Sequence, residues 1–220
     1  MPSSGRKILS RAQTAKLIVA TAAVAALAST ITGRWSLVFI SLVTLALALV
    51  PIAFAQGLGL RLPVAFVVWI VAFVFGAIFM GEAFDFYEKV WWWDIALHGF
   101  SAVGFGLLGF LFAFMLFEGD SFAAPATALA VISFAFGISI GTLWEIFEYG
   151  VDQVFGANMQ KSGLDDTMGD LMVDTLGAAA GAASGYLYLK GRDYLAAGLI
   201  AEFIEHNRAL YRKARFRRRR

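Results

Sequence analysis

The chain has 220 residues, of which 60% are hydrophobic, and it carries a positive mean hydropathy and a formal net charge of +2. An aqueous domain of this length could not bury so much apolar surface, so the composition excludes an ordinary soluble fold and points to an integral membrane protein. The absence of cysteine excludes disulfides, thiolate nucleophiles and soft metal sites.

Six apolar stretches follow in chain order. Leu17 to Ile31 is Ala-rich and preceded by Arg6, Lys7, Arg11 and Lys16. Its Ala25-Ala26-Leu27-Ala28 run would also suit a cleaved secretory signal, but a retained helix accounts better for the charge pattern below. Leu37 to Ala55 contains Pro51, a tolerable kink near a helix end, and Gly57-Leu58-Gly59 makes the turn. Leu62 to Gly81 starts with Pro63, where the missing amide costs little. Ile95 to Phe117, a stretch from Pro125 to about Tyr149, and Leu171 to Leu189 complete the set. Each supplies about the 20 residues needed to cross the hydrocarbon, and none shows the alternation of a membrane β-strand. The expected fold is all-α, a six-transmembrane-helix bundle over residues 1–190, with 191–220 as an amphipathic segment and basic tail.

Orientation follows from lysine and arginine. The amino-terminal arm, the Arg61 turn, the Glu118 to Asp120 loop and the tail together hold fifteen basic residues, and the alternate segments around Arg34, Lys89 and Lys161 hold three. Both termini are therefore expected in the cytoplasm, as in a multi-pass protein of the bacterial inner membrane. Acidic residues divide oppositely, with eleven outside and five inside.

The external acids have helical spacing. Glu82 and Asp85 end the third span; Asp94 and His98 begin the fourth; Glu145, Glu148 and Asp152 end the fifth; Asp166, Asp170 and Asp174 begin the sixth. At about 100° per residue each set occupies one helix face, so four stripes meet at one membrane surface. Counting about 20 residues along each span places His98, Glu145, Asp170 and Asp174 at or inside the outer boundary, where carboxylates are costly unless water, a proton or a cation compensates. Helix capping and solvation account for Asp165, Asp166 and Asp94, which lie at amino termini; they fit Glu145, Glu148 and Asp152 poorly, because the macrodipole disfavours acids near a carboxyl terminus. The favoured expectation is a divalent-cation site with Glu82, Asp94, Glu145 and Asp170 as ligands. Glu148 or His98 would activate water, and Asp85, Asp152, Asp166 and Asp174 would serve as outer or alternative ligands. Oxygen-rich ligation with at most one imidazole favours Mg²⁺, Mn²⁺ or Ca²⁺, with Zn²⁺ and iron ranked lower. His98 has a structural alternative, a bond to Asp94 one turn away.

Trp91-Trp92-Trp93 reads as an interfacial anchor. Gly104-Phe105-Gly106 and the Gly177, Gly181, Gly185 run suit close helix contacts; they lack the Lys-Ser/Thr pair of a phosphate loop. Leu195, Leu199 and Phe203 mark an interfacial helix, followed by a flexible tail with Arg212, Lys213, Arg215 and Arg217 to Arg220 that would be drawn to anionic lipid. Charge alone gives little basis for specific nucleic-acid binding.

Three motifs carry a family resemblance: Trp93-Asp94-Ile95-Ala96-Leu97-His98; Gly141-Thr142-Leu143-Trp144-Glu145-Ile146-Phe147-Glu148-Tyr149-Gly150-Val151-Asp152; and Asp165-Asp166-Thr167-Met168-Gly169-Asp170-Leu171, with Asp174-Thr175-Leu176-Gly177 after it. Over about Phe79 to Leu189 the chain resembles the uncharacterised bacterial YjdF-like membrane proteins and, more distantly, the VanZ-like group. The resemblance implies a multispan helical protein with shared polar motifs and supplies no reaction. From the residues, the leading expectation is metal-dependent processing or binding of a lipid or envelope-derived substrate at the external side. A cation- or proton-coupled transporter and a structural scaffold are the alternatives.

Overall fold

The computed structural model describes residues 35–117, 124–192 and 196–217, together with Ala20 and Val24. The first expected span, Leu17 to Ile31, lies outside the described residues apart from those two, as does the Glu118 to Asp120 loop. All regular elements among the described residues are helical. They form two compact units, one running to Trp91 and including Glu205–Asn207, the other holding Trp92–Ile204 and the end of the last helix.

The first unit contains α1 (Trp35–Gly57), α2 (Val64–Val74), a π-helical continuation (Phe75–Ala83) and α3 (Phe86–Lys89). Pro51 lies inside α1, and Gly59 takes a left-handed φ of 73° in the expected turn. Ile52 and Val67 form the packed centre between α1 and α2, flanked by Leu45, Leu49, Leu62 and Val71. Arg61 stands in the non-helical connection, where its backbone groups have no helical partner. Asn207 supplies both: its Oδ1 accepts from the Arg61 N–H at 2.8 Å and its Nδ2 donates to the Arg61 carbonyl at 2.9 Å.

One expectation fails in this unit. Glu82 lies in the wider π-helical winding, while Asp85 lies beyond it in the left-handed region at φ 55°, so the two do not share an α-helical face. Asp85 is exposed and pairs with Lys89 at 3.1 Å; Glu82 is exposed as well.

The second unit contains α4 (Trp93–Leu116), α5 (Ala126–Phe155), α6 (Leu164–Leu189) and most of α7 (Ala197–Arg217). Pro125 precedes α5, and left-handed Gly156 ends it, with its N–H on the Asp152 carbonyl at 3.0 Å. α4, α5 and α6 pack mutually, and glycines determine how closely. A Cβ on Gly106 would stand 2.6 Å from the Ala178 carbonyl oxygen, one on Gly181 2.5 Å from that of Val103, and one on Gly137 2.8 Å from the Ala178 Cβ. The small-residue runs therefore bring backbones into direct contact, where dispersion and buried hydrogen bonds replace the hydrophobic drive missing in lipid. Ser133, fully buried, donates to the Gly106 carbonyl at this contact. Leu107, Phe110, Leu111 and Leu129 fill the rest of the interior.

Among the described residues, three helices are long and apolar enough to cross a membrane: Val64–Ala83, Trp93–Leu116 and Ala126–Phe155. Ser41–Gly57 is a shorter apolar helix, and α6 carries Asp165, Asp166, Asp170 and Asp174. The last helix continues to Arg217, so Arg212, Lys213, Arg215 and Arg217 fall on helical backbone where a flexible tail was expected. Among its described side chains, Ile200, Phe203 and Asn207 are buried and Leu199 is only partly covered, while Leu195 lies outside the described residues.

Gly181→Leu should force α4 and α6 apart and cost about 1–3 kcal/mol, read as a lower denaturation midpoint of the purified protein in detergent. Gly150→Leu, at an α5 position where a Cβ meets nothing within 4 Å, should leave the midpoint unchanged.

Candidate metal centre

The carboxylates of the second unit gather at one end of the three-helix core because α4 and α6 begin where α5 ends. Asp94 and His98 occupy the first turns of α4, Glu145 and Glu148 the last third of α5, and Asp166, Asp170 and Asp174 the first turns of α6. The helical spacing of each set turns it toward the other two helices. Burial follows: Asp174 is 1% exposed, Asp170 2%, Glu145 3%, His98 7% and Glu148 8%.

His98 is the centre of the group. Its Nδ1 stands 3.3 Å from both Asp174 oxygens. Its Nε2 faces Glu145 Oε1 at 3.8 Å, Asp94 Oδ1 at 3.9 Å and Asp170 Oδ2 at 4.0 Å. With Nδ1–H donating to Asp174, Nε2 faces three carboxylates, and their charge is met either by a second ring proton on Nε2 or by a cation between them. The gaps exceed hydrogen-bond length. They are within the span of two ligands about one ion, since atoms each ~2.1 Å from a metal stand at most ~4.2 Å apart. Asp94, His98 and Asp170 offer ligand atoms that all lie within 4.8 Å of one another, and such a group could hold a metal ion. Asp170 Oδ2 is buried without a hydrogen-bond partner, and neither Glu145 oxygen closes a hydrogen bond, although the Thr167 hydroxyl borders that carboxylate.

The remaining candidates have other contacts. Glu148 accepts from Trp144 Nε1 at 2.7 Å, one helical turn away, and lies within electrostatic range of Glu145 and Asp94. Asp166 accepts from the Lys161 N–H at 3.2 Å at the start of α6, and its charge reaches Asp94 and Asp170. Asp152 accepts from the backbone N–H groups of Met159 and Gln160 at 2.8 and 2.9 Å, which engages both its oxygens in the loop after α5. Glu82 and Asp85 belong to the first unit and are described there. The centre thus joins Asp94, Glu145 and Asp170 of the expected ligands, and it draws His98 and Asp174 into their midst.

Three contributions went unassigned from sequence. Gly141 opens the space that the Asp174 carboxylate fills, because a Cβ there would overlap its oxygen and carbon atoms. Lys161, a loop residue, has its ammonium nitrogen buried and its charge acts on Asp94. Trp144 stands four residues before Glu148, a spacing that offers this bond.

With the site described, its kinship can be stated. A family described as "Predicted membrane protein (DUF2238)" matches residues 14–191. The chain belongs to the DUF2238 family. Its membrane nature is therefore established together with its apolar helices, and the YjdF-like resemblance agrees loosely with DUF2238 while the match does not extend to a VanZ-like relation. An uncharacterised protein of Thermotoga maritima is 33% identical over 113 residues, 51% of this chain and 57% of that protein. The matched region thus spans little more than half the length of that relative. No solved structure matches the chain. DUF2238 membership carries no stated activity, so function rests on the geometry.

Gly141→Ala should push Asp174 off its place and lower stability by about 1–3 kcal/mol. Adding Asp174→Ala removes the overlapped carboxylate and should recover part of that loss in a double-mutant cycle; strictly additive losses would count against the contact.

Proposed function

We propose that the protein is a membrane-embedded divalent-cation centre that binds or processes a lipid or envelope-derived substrate at the extracytoplasmic side. The single observation that carries this is the buried Nε2 of His98 facing Asp94, Glu145 and Asp170 at 3.8–4.0 Å while Nδ1 is committed to Asp174. Four buried carboxylates, Glu145, Glu148, Asp170 and Asp174, share this end of the unit with the half-buried Asp94 and Asp166, one imidazole and one lysine charge. Leaving so much negative charge buried without compensation would be costly, and a divalent ion supplies compensation at the point where the ligand atoms converge.

In this proposal Asp94, His98, Asp170 and Glu145 hold the ion. Asp174 orients the imidazole, as carboxylates do behind metal-bound histidines. Glu148, steadied by Trp144, is the base for an activated water if the activity is hydrolytic. His98 leaves the role of base and becomes a ligand. Glu82 drops to a candidate outside the core set.

Membrane depth supports the lipid side of the proposal. On α6 the inward stripe is Asp166, Asp170 and Asp174, while Leu164, Met168, Met172 and Leu176 are exposed on the opposite side. On α5, Leu143, Ile146 and Phe147 are exposed beside the buried Glu145 and Glu148. Polar inside and apolar outside suits hydrocarbon, and it favours α6 as a span despite its aspartates. At ~1.5 Å per residue the 30 residues of α5 reach ~45 Å, enough to cross a ~30 Å core and carry its acidic end to the headgroups. With α1, the α2 to π-helix segment and the stretch before Trp35, the spans come to six, residues 1–190 form the membrane domain, and both ends are cytoplasmic in the inner membrane. Leu107, Phe110, Leu111 and Leu129 close the core with apolar packing, which favours a one-sided site over a transport route.

Metal analysis of protein purified without chelator should find about one divalent ion per chain, reduced several-fold in Asp170→Asn and Glu145→Gln. Equal metal content in all three would sink the assignment. Because the chain has no cysteine, Ser162→Cys should react with a membrane-impermeant maleimide in spheroplasts and Arg192→Cys only after lysis; the reverse pattern would invert the topology.

A further inference from the structure

We infer that the centre is selective for a first-row transition-metal ion of the Mn²⁺, Fe²⁺ or Zn²⁺ class over Mg²⁺ and Ca²⁺, with His98 Nε2 as its nitrogen ligand and Asp174 as the positioning residue behind it. This rests on the metal proposal above and narrows it. From composition alone, a mostly carboxylate site ranks the hard cations first. The geometry reverses that order.

The imidazole stands in the middle of the carboxylates, its Nε2 within 4.0 Å of Asp94, Glu145 and Asp170. Asp94, His98 and Asp170 have ligand atoms mutually within 4.8 Å, so an ion held between the two carboxylates must accept Nε2 or be crowded by it. Mg²⁺ and Ca²⁺ favour all-oxygen shells, whereas imidazole suits iron and Zn²⁺; Mn²⁺, though at home among carboxylates and the weakest binder of the first-row series, accepts one nitrogen more readily than those hard ions do. The ring is also not free to turn away. Asp174, 1% exposed, is close to Nδ1 with both oxygens at 3.3 Å, and Gly141 leaves the room that keeps it there. With Nδ1–H as the donor, that contact leaves Nε2 open and raises its basicity, the usual device behind a metal-bound histidine.

A second observation, independent of the acidic cluster, points to a ligand. Asp170 is 2% exposed, and its Oδ2, the oxygen aimed at Nε2, has no hydrogen-bond partner. A carboxylate oxygen left so in a native interior calls for a partner, and an ion held with Nε2 supplies one. Three carboxylates around one divalent ion leave a surplus negative charge, and the Lys161 charge that acts on Asp94 offsets part of it. The missing cysteine removes the thiolates that would draw softer ions.

The test uses the full chain in detergent, stripped of metal and loaded with Mn²⁺. Pulsed electron paramagnetic resonance should show echo modulation from a directly bound nitrogen, retained in His206→Gln and lost in His98→Gln. Zn²⁺ should displace the Mn²⁺ at comparable concentration, while Mg²⁺ and Ca²⁺ should fail to do so at roughly hundredfold excess. Asp174→Asn should keep the nitrogen modulation and weaken Mn²⁺ binding about 10- to 100-fold. If His98→Gln fails to fold, the native and His206→Gln spectra decide. Bound Mn²⁺ without nitrogen modulation, or ready displacement by Mg²⁺ or Ca²⁺, would overturn this inference and leave the divalent-cation proposal standing. A native chain that binds neither Mn²⁺ nor Zn²⁺ nor Mg²⁺ nor Ca²⁺ would overturn both.

Discussion

Most of what is specific about the second unit depends on the placement of one imidazole. His98 has Asp174 against one ring nitrogen and three carboxylates, from Asp94, Glu145 and Asp170, before the other. Positive charge at that point, carried by the ring itself or by an ion beside it, offsets those negative oxygens. The placement is built from the backbone outward. Gly106, Gly137, Gly177 and Gly181 let α4, α5 and α6 approach to backbone contact, and Gly141 makes the hollow that receives Asp174. Without those absences of side chains, the acidic stripes could not converge on His98.

The same unit reverses the usual relation of polarity and burial. Asp170, Asp174 and Glu145 are buried, while Met172, Leu176, Leu143 and Ile146 are exposed on the same helices. In water this distribution would be unfavourable on both counts. In a bilayer the apolar faces meet acyl chains, and the carboxylates are kept away from lipid in an interior that must compensate their charge. Exposure of large apolar side chains thereby serves as evidence about the solvent, in agreement with the family to which the chain belongs.

Periodicity made the acidic faces of α4, α5 and α6 legible, since offsets of three, four, seven and eight residues survive wherever the backbone is α-helical. The same rule failed at Glu82 and Asp85, because the chain there widens to a π-helix and then turns left-handed at Asp85. It also could not assign Asp152, whose spacing matched Glu145 and Glu148 but whose oxygens bind the loop amides of Met159 and Gln160. Spacing specifies a direction around one helix axis. It does not report which backbone groups a following loop will fold back to present, nor that Asn207 would complete the hydrogen bonds of Arg61, 146 positions earlier.

By itself, the sequence determined the solvent, the helical class and the pairing of small-residue runs with close helix contacts, because these follow from composition and local period. It also determined which helix ends are acidic. Only the tertiary structure decided that His98 stands among the carboxylates, that Asp174 and Asp170 take opposite sides of its ring, and that Lys161 reaches inward from a loop. Those outcomes turn on distances of an ångström or less between separate helices, and such distances are set by how glycine-lined backbones pack, which no one-dimensional spacing contains.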